Sequence, residues 1–249
     1  MIKFPEKKNI NEIKKYFKSY KLSGLFSSKL FTKDTFKPNM FDLYRIHRFI
    51  ILNKRICALE YGTGWSTIIM SHALKINKLK LNFKNTIRFK NPFSLTVLDD
   101  SKKYLNISKK RFEYFFGKKQ NIKFYFSQTK MVRFNFKYAT EYKNHPLINP
   151  DFIYLDGPSL NLVKGKINNF TVKHQDMMPM ACDILNYEHF LTPGTIIVAD
   201  GRTANSRFLK NNLQRKWLYR QDTTNDQNIF YLNEKPLGKI NSNQLKFYK

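Results

Sequence analysis

Acidic residues are scarce in this chain. Asp and Glu number 18 against 45 Lys and Arg, so the 249 residues carry a formal charge of +27. A field of that sign attracts nucleic acid, acidic glycans, nucleotide sugars or anionic membrane. It also follows from a composition rich in Lys, Asn, Ile and Phe, as an A+T-rich coding sequence would give. The basic residues are scattered apart from modest clusters at 75–90 and 102–111. Cysteine is nearly absent. Cys57 and Cys182 make no disulfide framework and no metal-ligand spacing, and both are expected as buried thiols in a reducing cytoplasm. No run approaches the ~18 apolar residues of a membrane span. The N-terminus is charged early and has no apolar h-region, so no signal peptide is expected. Internal repeats and low-complexity tracts are also missing.

What is present supports a substantial core. Hydrophobic residues make up 42% and Phe alone accounts for 23 positions. Residues 1–38 read as a basic N-terminal appendage with a weakly amphipathic helix over 9–21. The main domain is expected at 39–249, opening with a helix over 39–52. Strands and helices then alternate. Strands are expected at 55–60, 93–99, 122–126, 152–155 and 195–199, and helices at 66–77, 102–116, 176–190 and 204–213. Ser101 and Gly117 cap and stop the second of these helices. The stretch 127–150 reads as a loop of uncertain structure. Two strands, 217–222 and 228–232, close the pattern as a hairpin. The expectation is a three-layer, doubly wound α/β fold, with a mostly parallel seven-stranded sheet and a C-terminal antiparallel hairpin.

The segment Glu60-Tyr61-Gly62-Thr63-Gly64-Trp65-Ser66-Thr67 carries the most information. It reads as a buried strand, a carboxylate at its tip, a glycine turn and a helix start. Open α/β sheets bind ligands beyond the carboxyl ends of their strands. Four predicted strands end in an acid: Glu60, Asp99, Asp156 and Asp200. Any one of these is an ordinary cap or turn former, but together they share one rim of a strongly basic protein. Asp99 suits a ribose diol, and Glu60 suits an ammonium. Gly62 and Gly64 let backbone approach a carboxylate at the positive end of a helix. Amino acid, ribose and adenine in that order make S-adenosylmethionine. A dinucleotide fits less well, because Thr67 stands where its fingerprint wants Gly or Ala. Asp99 also follows Glu60 by 39 positions, where that fingerprint expects ~20.

These residues resemble the class I S-adenosylmethionine-dependent methyltransferases over roughly 55–233. The glycine segment resembles the family's Glu-x-Gly-x-Gly-x-Ser motif. Leu98-Asp99-Asp100-Ser101 is similar to the second-strand motif, and Leu191-Thr192-Pro193-Gly194 to the approach to the fifth strand. The resemblance implies cofactor contacts from Glu60, Gly62, Gly64, Ser66, Thr67 and Asp99, with Asp100 near the adenine. Ser127 and Gln128 fall where the family contacts the adenine, although the acid frequent there is missing. Asp156 and Asp200 resemble acids that hold a divalent metal in small-molecule O-methyltransferases. Asp200-Gly201 replaces the usual Asp-Asn and is one ligand oxygen short, so no metal is favoured. Asp156 is then the first general-base candidate and His174 the second. Arg202 and Asn205 would face the same rim and contact substrate. His47, His72, His145 and His189 read as structural, and Met177, Met178 and Met180 as core packing on an early helix turn.

Three functions compete. The first is methyl transfer to a small molecule or glycan, which needs in-line positioning and removal of a proton rather than a nucleophile. The second is RNA methylation, suggested by the charge. DNA amino-methylation is disfavoured because Asp156-Gly157-Pro158-Ser159 lacks a second proline and an aromatic stacker. The third is a catalytically inactive scaffold of the same fold, against which the retained Glu60, Gly62, Gly64 and Asp99 argue.

Overall fold

The computed structural model describes residues 2–26, 37–81, 91–117, 121–174 and 176–249. The mixed stretch 22–38 and the basic cluster 75–90 fall partly outside these. The central strand β1 (Cys57–Tyr61) is buried along its whole length, as a strand covered on both faces must be. It pairs in parallel with β2 (Ser94–Asp99) on one side and β6 (Phe152–Leu155) on the other. Outward from β2 lies β3 (Ile122–Phe126), and outward from β6 lies β7 (Ile196–Asp200), both parallel. β9 (Gln227–Leu232) runs antiparallel beside β7, and β8 (Trp217–Asp222) closes that edge. The resulting order, β3-β2-β1-β6-β7-β9-β8, is the expected seven-stranded, mostly parallel sheet with one hairpin.

Side-chain alternation along the strands divides the core in two. Ala58, Val97, Phe152, Tyr154 and Val198 face α2 (Met40–Leu52) and α3 (Trp65–Lys80). Leu59, Tyr61, Leu98, Ile153, Leu155 and Ile197 face the other way. They pack against α5 (Asp183–Tyr187), α6 (Thr203–Asn212) and a separate antiparallel hairpin, β4 (Thr129–Phe134) and β5 (Lys137–Tyr142). α4 (Lys102–Phe116) begins at Ser101, whose hydroxyl accepts from the Tyr104 N–H, and stops at Gly117 with φ 68°. The buried Asp151 carboxylate ties three segments together. It accepts from the Ile56 and Cys57 amides and from the Tyr248 hydroxyl of α7 (Lys239–Tyr248).

Several expectations change. The segment 127–150 contains the β4–β5 hairpin rather than only loop. The helix expected over 176–190 shrinks to α5 and a 3-10 turn at Glu188–Phe190, because Pro179 disfavours helix before it. Met177 is consequently exposed and Met178 and Met180 half-buried, not core. α7 was not anticipated. The N-terminal helix α1 (Ile10–Ser19) is packed into the domain, its Ile13 and Phe17 fully buried against Leu43, Tyr44, Ile68 and Ile69. Among the described residues no helix is long and apolar enough to cross a membrane.

Candidate active site

The strand order reverses between β1 and β6, and the crevice beyond their carboxyl ends is where such sheets place ligands. The loops leaving the two strands touch backbone to backbone. A Cβ on Gly157 would stand 2.6 Å from the Gly62 nitrogen, and one on Gly62 would stand 3.0 Å from the Asp156 carbonyl. Gly62 also holds φ +93°, a region that side chains rarely adopt. Gly62 therefore serves the loop–loop contact. Gly64 differs, since a Cβ there would meet only the Ser66 Oγ at 3.9 Å, with open space beyond. That space is a cavity of about 650 Å³ walled by Gly62, Gly64, Ser66, Asp99, Asp156 and Arg202, among others.

Glu60 lies beneath this floor. It is fully buried and does not line the cavity. Its carboxylate accepts from the Ser66 hydroxyl and, at 2.6 Å, from the Thr67 hydroxyl. Thr67 in turn accepts from the Gly64 amide at 3.2 Å. Glu60 and Thr67 thus fix the first turn of α3, and Ser66 alone of the three reaches the cavity wall. Burial raises the Glu60 pKa to about 8 against the pull of the two hydroxyls.

Asp99 does reach the cavity while only 4% exposed. One oxygen accepts from the Ser101 amide at 2.6 Å. Burial lifts its pKa to about 7, with the Ser101 N–H opposing and the Asp100 and Asp156 charges adding. Asp100 points elsewhere, accepting from the Thr129 hydroxyl at 2.7 Å and the Ser159 amide at 3.4 Å. The Ser127 Oγ accepts from the Asn144 amide at 2.8 Å. Neither lines the cavity, so both hold β3, β4 and the neighbouring loops in place. The adenine-side expectation for these two residues is not met by direct exposure.

The cavity is also lined by Asp156, Asp200 and an acid that sequence reading missed, Asp42 in the first turn of α2. The Asp156 side chain is 55% exposed, yet protein surrounds it on most sides. That enclosure raises its pKa to about 7, with Arg202 opposing and Asp200 adding. Asp42 rises to about 7 through burial first and then the nearby Asp200, with Arg45 opposing. Asp200 is also raised by burial, while the Tyr154 hydroxyl, donating to it, resists the shift. Tyr154 was also missed. A strand tyrosine carries no local mark of which face it takes, and Asp42 reads as an ordinary helix-start acid.

The remaining expectations separate. Arg202 lines the cavity, but its Nη2 donates to the Asp156 carbonyl at 2.7 Å and the Pro158 carbonyl at 2.9 Å. It braces the Asp156 loop. Asn205 is fully buried and pins the Ala181 backbone by two bonds of 3.2 Å, so it cannot contact substrate. The His174 side chain is 61% exposed beside Asp176 and lines neither of the crevice cavities. It is not placed to take a proton inside either cavity. Among the described residues no group of three or more His, Cys, Asp or Glu is placed to hold a metal ion. Asp156 lies near Arg202, with Nε 3.9 Å from one carboxylate oxygen, and Asp200 accepts from the Tyr154 hydroxyl.

No protein-family profile and no curated protein matches the chain. Solved structures resemble it weakly. The SAH-bound methyltransferase of Podospora anserina aligns at 11% identity over 91% of this chain and 89% of its own, with a TM-score of 0.47. The O-methyltransferase TomG of Streptomyces achromogenes, in complex with SAM, aligns at 11% identity over 93% and 92%, with a TM-score of 0.41. The SAH complex of an O-methyltransferase from Bacillus cereus gives 11% identity, 92% of each chain and a TM-score of 0.41. At these identities the likeness is one of fold.

Proposed function

We propose that this chain is an S-adenosylmethionine-dependent methyltransferase acting on a small molecule or glycan. The observation that carries the reading is the pairing of Gly64, open to solvent space, with Asp99 inside one cavity at the sheet's switch point. In this reading Asp99 accepts hydrogen bonds from the ribose hydroxyls. Exposed backbone at Gly64 and the start of α3 meet the amino-acid carboxylate. The bound cofactor supplies a methyl group activated on a positively charged sulfur. Around it, Ser66 and Glu60 keep the first turn of α3 in register. Asp156, half-exposed with a pKa of about 7, takes the acceptor's proton. Arg202 holds the Asp156 loop at a fixed distance from Gly62.

RNA is the second reading, favoured by the chain's charge of +27. The crevice itself carries both signs, with Lys37, Lys103, Arg111 and Arg202 beside Asp42, Asp99, Asp156 and Asp200. The test is a thermal melt with S-adenosylmethionine and with its demethylated product. Ligand at 100 times Kd stabilises by about 2.7 kcal/mol, and an unmoved melting curve well above micromolar ligand overturns the reading in favour of a scaffold.

A further inference from the structure

Outside the seven-stranded sheet the chain builds a lobe whose charges are of one sign. It consists of the β4–β5 hairpin and the segment 159–173, which is laid along β4. The Met131 amide donates to the Lys164 carbonyl at 2.9 Å and the Lys164 amide to the Thr129 carbonyl at 2.8 Å. Met131, Val163 and Val172 bury one another. Residues 129–140 and 159–173 contain six cations, Lys130, Arg133, Lys137, Lys164, Lys166 and Lys173, and no Asp or Glu. All six are exposed. The flanking acids remove little of this charge. Glu141 pairs with Lys130 at 3.1 Å, and Asp176 lies 3.7 Å from His174. α6 packs beside the hairpin through Phe208 on Phe134 and through Asn212, which accepts from the Lys137 ammonium at 2.7 Å. It adds the exposed Arg207 and Lys210 and no acid.

The aromatic side chains of the lobe make an independent observation. Phe136, at the tip of the hairpin, is 98% exposed. Asn135 and Phe136 form the two-residue turn between the paired Phe134 and Lys137, and Phe136 holds φ 64° where glycine is the ordinary choice. It buries nothing and strains the backbone, so folding alone does not account for a phenylalanine there. Farther along the hairpin the Tyr138 ring stacks on Phe170, centroids 4.8 Å apart and planes 18° from parallel. The Arg133 guanidinium lies 6.0 Å from the Tyr138 centroid. Both rings are half-buried. Cations interleaved with aromatic faces suit a single strand of nucleic acid, whose phosphates meet the charges and whose bases meet the rings. An anionic bilayer would meet the tip alone. Here the cations continue along the second segment to within two residues of Leu162, which lines the crevice cavity.

We propose that this lobe binds a single strand of nucleic acid. The phosphates lie along the exposed Lys and Arg side chains, and a base stacks on Phe136. The proposal goes beyond the methyltransferase reading and does not depend on which acceptor the crevice takes. No residue of 129–140, and none beyond Leu162 in the second segment, lines the crevice cavity.

The test is fluorescence anisotropy of an end-labelled oligouridylate, long enough at roughly 20 nucleotides to span such a site, titrated with the full chain. It should bind, with log affinity falling linearly in log salt. Phe136→Gly should weaken binding at least about fivefold, as the loss of one stacked base predicts. A urea melt of the same variant should show stability held or raised, since Asn-Gly suits the turn. Lys164→Gln/Lys166→Gln should also weaken binding and reduce the salt slope by about 1. The same loss of charge on α7, Lys239→Gln/Lys246→Gln, should leave the affinity within roughly twofold, since neither lysine then meets a phosphate. An oligonucleotide that fails to bind at about 50 mM salt overturns the proposal. So does an equal loss in the two charge variants, or an affinity unmoved by Phe136→Gly, because either reduces the contact to attraction between net charges. Binding to phosphatidylserine vesicles in place of the oligonucleotide overturns it too. If the oligonucleotide binds as expected but S-adenosylhomocysteine does not, the lobe assignment stands while the methyltransferase reading falls.

Discussion

Gly157 and Gly62 press backbone against backbone, with only 2.6 Å between a Cβ built on Gly157 and the Gly62 nitrogen. This contact joins the end of β6 to the end of β1 and sets the position of Asp156 beside the crevice. The same hypothetical Cβ would also meet the Tyr142 hydroxyl at 2.7 Å, so no direction is free for it. Gly157→Ala should therefore destabilise by about 1–3 kcal/mol, the range of an overpacked core. Equilibrium urea unfolding measures it. A change within a few tenths of a kcal/mol would show that the two loops do not bear on one another.

Acids with raised pKa values surround the proposed cofactor. Unfolded carboxyl groups titrate near 4. Asp99, Asp156 and Asp42 rise to about 7 and Glu60 to about 8 in the fold. Their contribution to the stability of the free protein is fully present below pH ~4 and is lost as pH rises through about 7 to 8. A cationic ligand reverses the balance, because it favours the ionised carboxylates. S-adenosylmethionine affinity should increase from pH 6 to pH 8, with protons released on binding. Titrations in buffers of differing ionisation enthalpy read that release. Proton uptake would contradict it.

The buried histidines act in the opposite sense. Tyr16 donates from its hydroxyl to the His47 Nδ1 at 2.5 Å, leaving the His47 Nε2 to face the His72 Nδ1 at 2.9 Å. The network joins α1, α2 and α3, and both rings are kept neutral. Burial holds His47 well below its usual pKa and lowers His72 to about 4. An unfolded histidine titrates near 6.5. The stability from these groups is complete above that pH and is lost as pH falls toward 4. Between pH 6.5 and 4 the melting temperature should drop, and His72→Leu should flatten the slope. An equal slope in the variant would place the acid sensitivity elsewhere.

Much of the sheet was legible because its signals are local. β3, α4 and β6 fall at their expected ends, each bounded by punctuation such as Ser101, Gly117 and Pro150. The β4–β5 hairpin was not legible, since its turn residues Asn135 and Phe136 hold φ 45° and 64° without a glycine to announce it. α7 has a middling composition, Ile240-Asn241-Ser242-Asn243, and owes its helix to tertiary partners. Asn241 donates to the Pro193 carbonyl and Tyr248 to Asp151.

At the site, sequence placed the acids at the crevice but not their directions. Glu60 turns down beneath Ser66 and Thr67, and Asn205 turns to Ala181. Asp42 and Tyr154 enter from elements whose facing only the packed fold decides.

The central claim is that Asp99 holds an adenosyl ribose inside the β1–β6 crevice. Calorimetric titration of S-adenosylhomocysteine into the Asp99→Ala variant tests it most directly, beside a urea melt to show the fold intact. Affinity should fall at least a hundredfold, about 2.7 kcal/mol, as expected for losing hydrogen bonds to a charged partner, while stability holds or rises. Unchanged affinity in a folded variant would contradict the account.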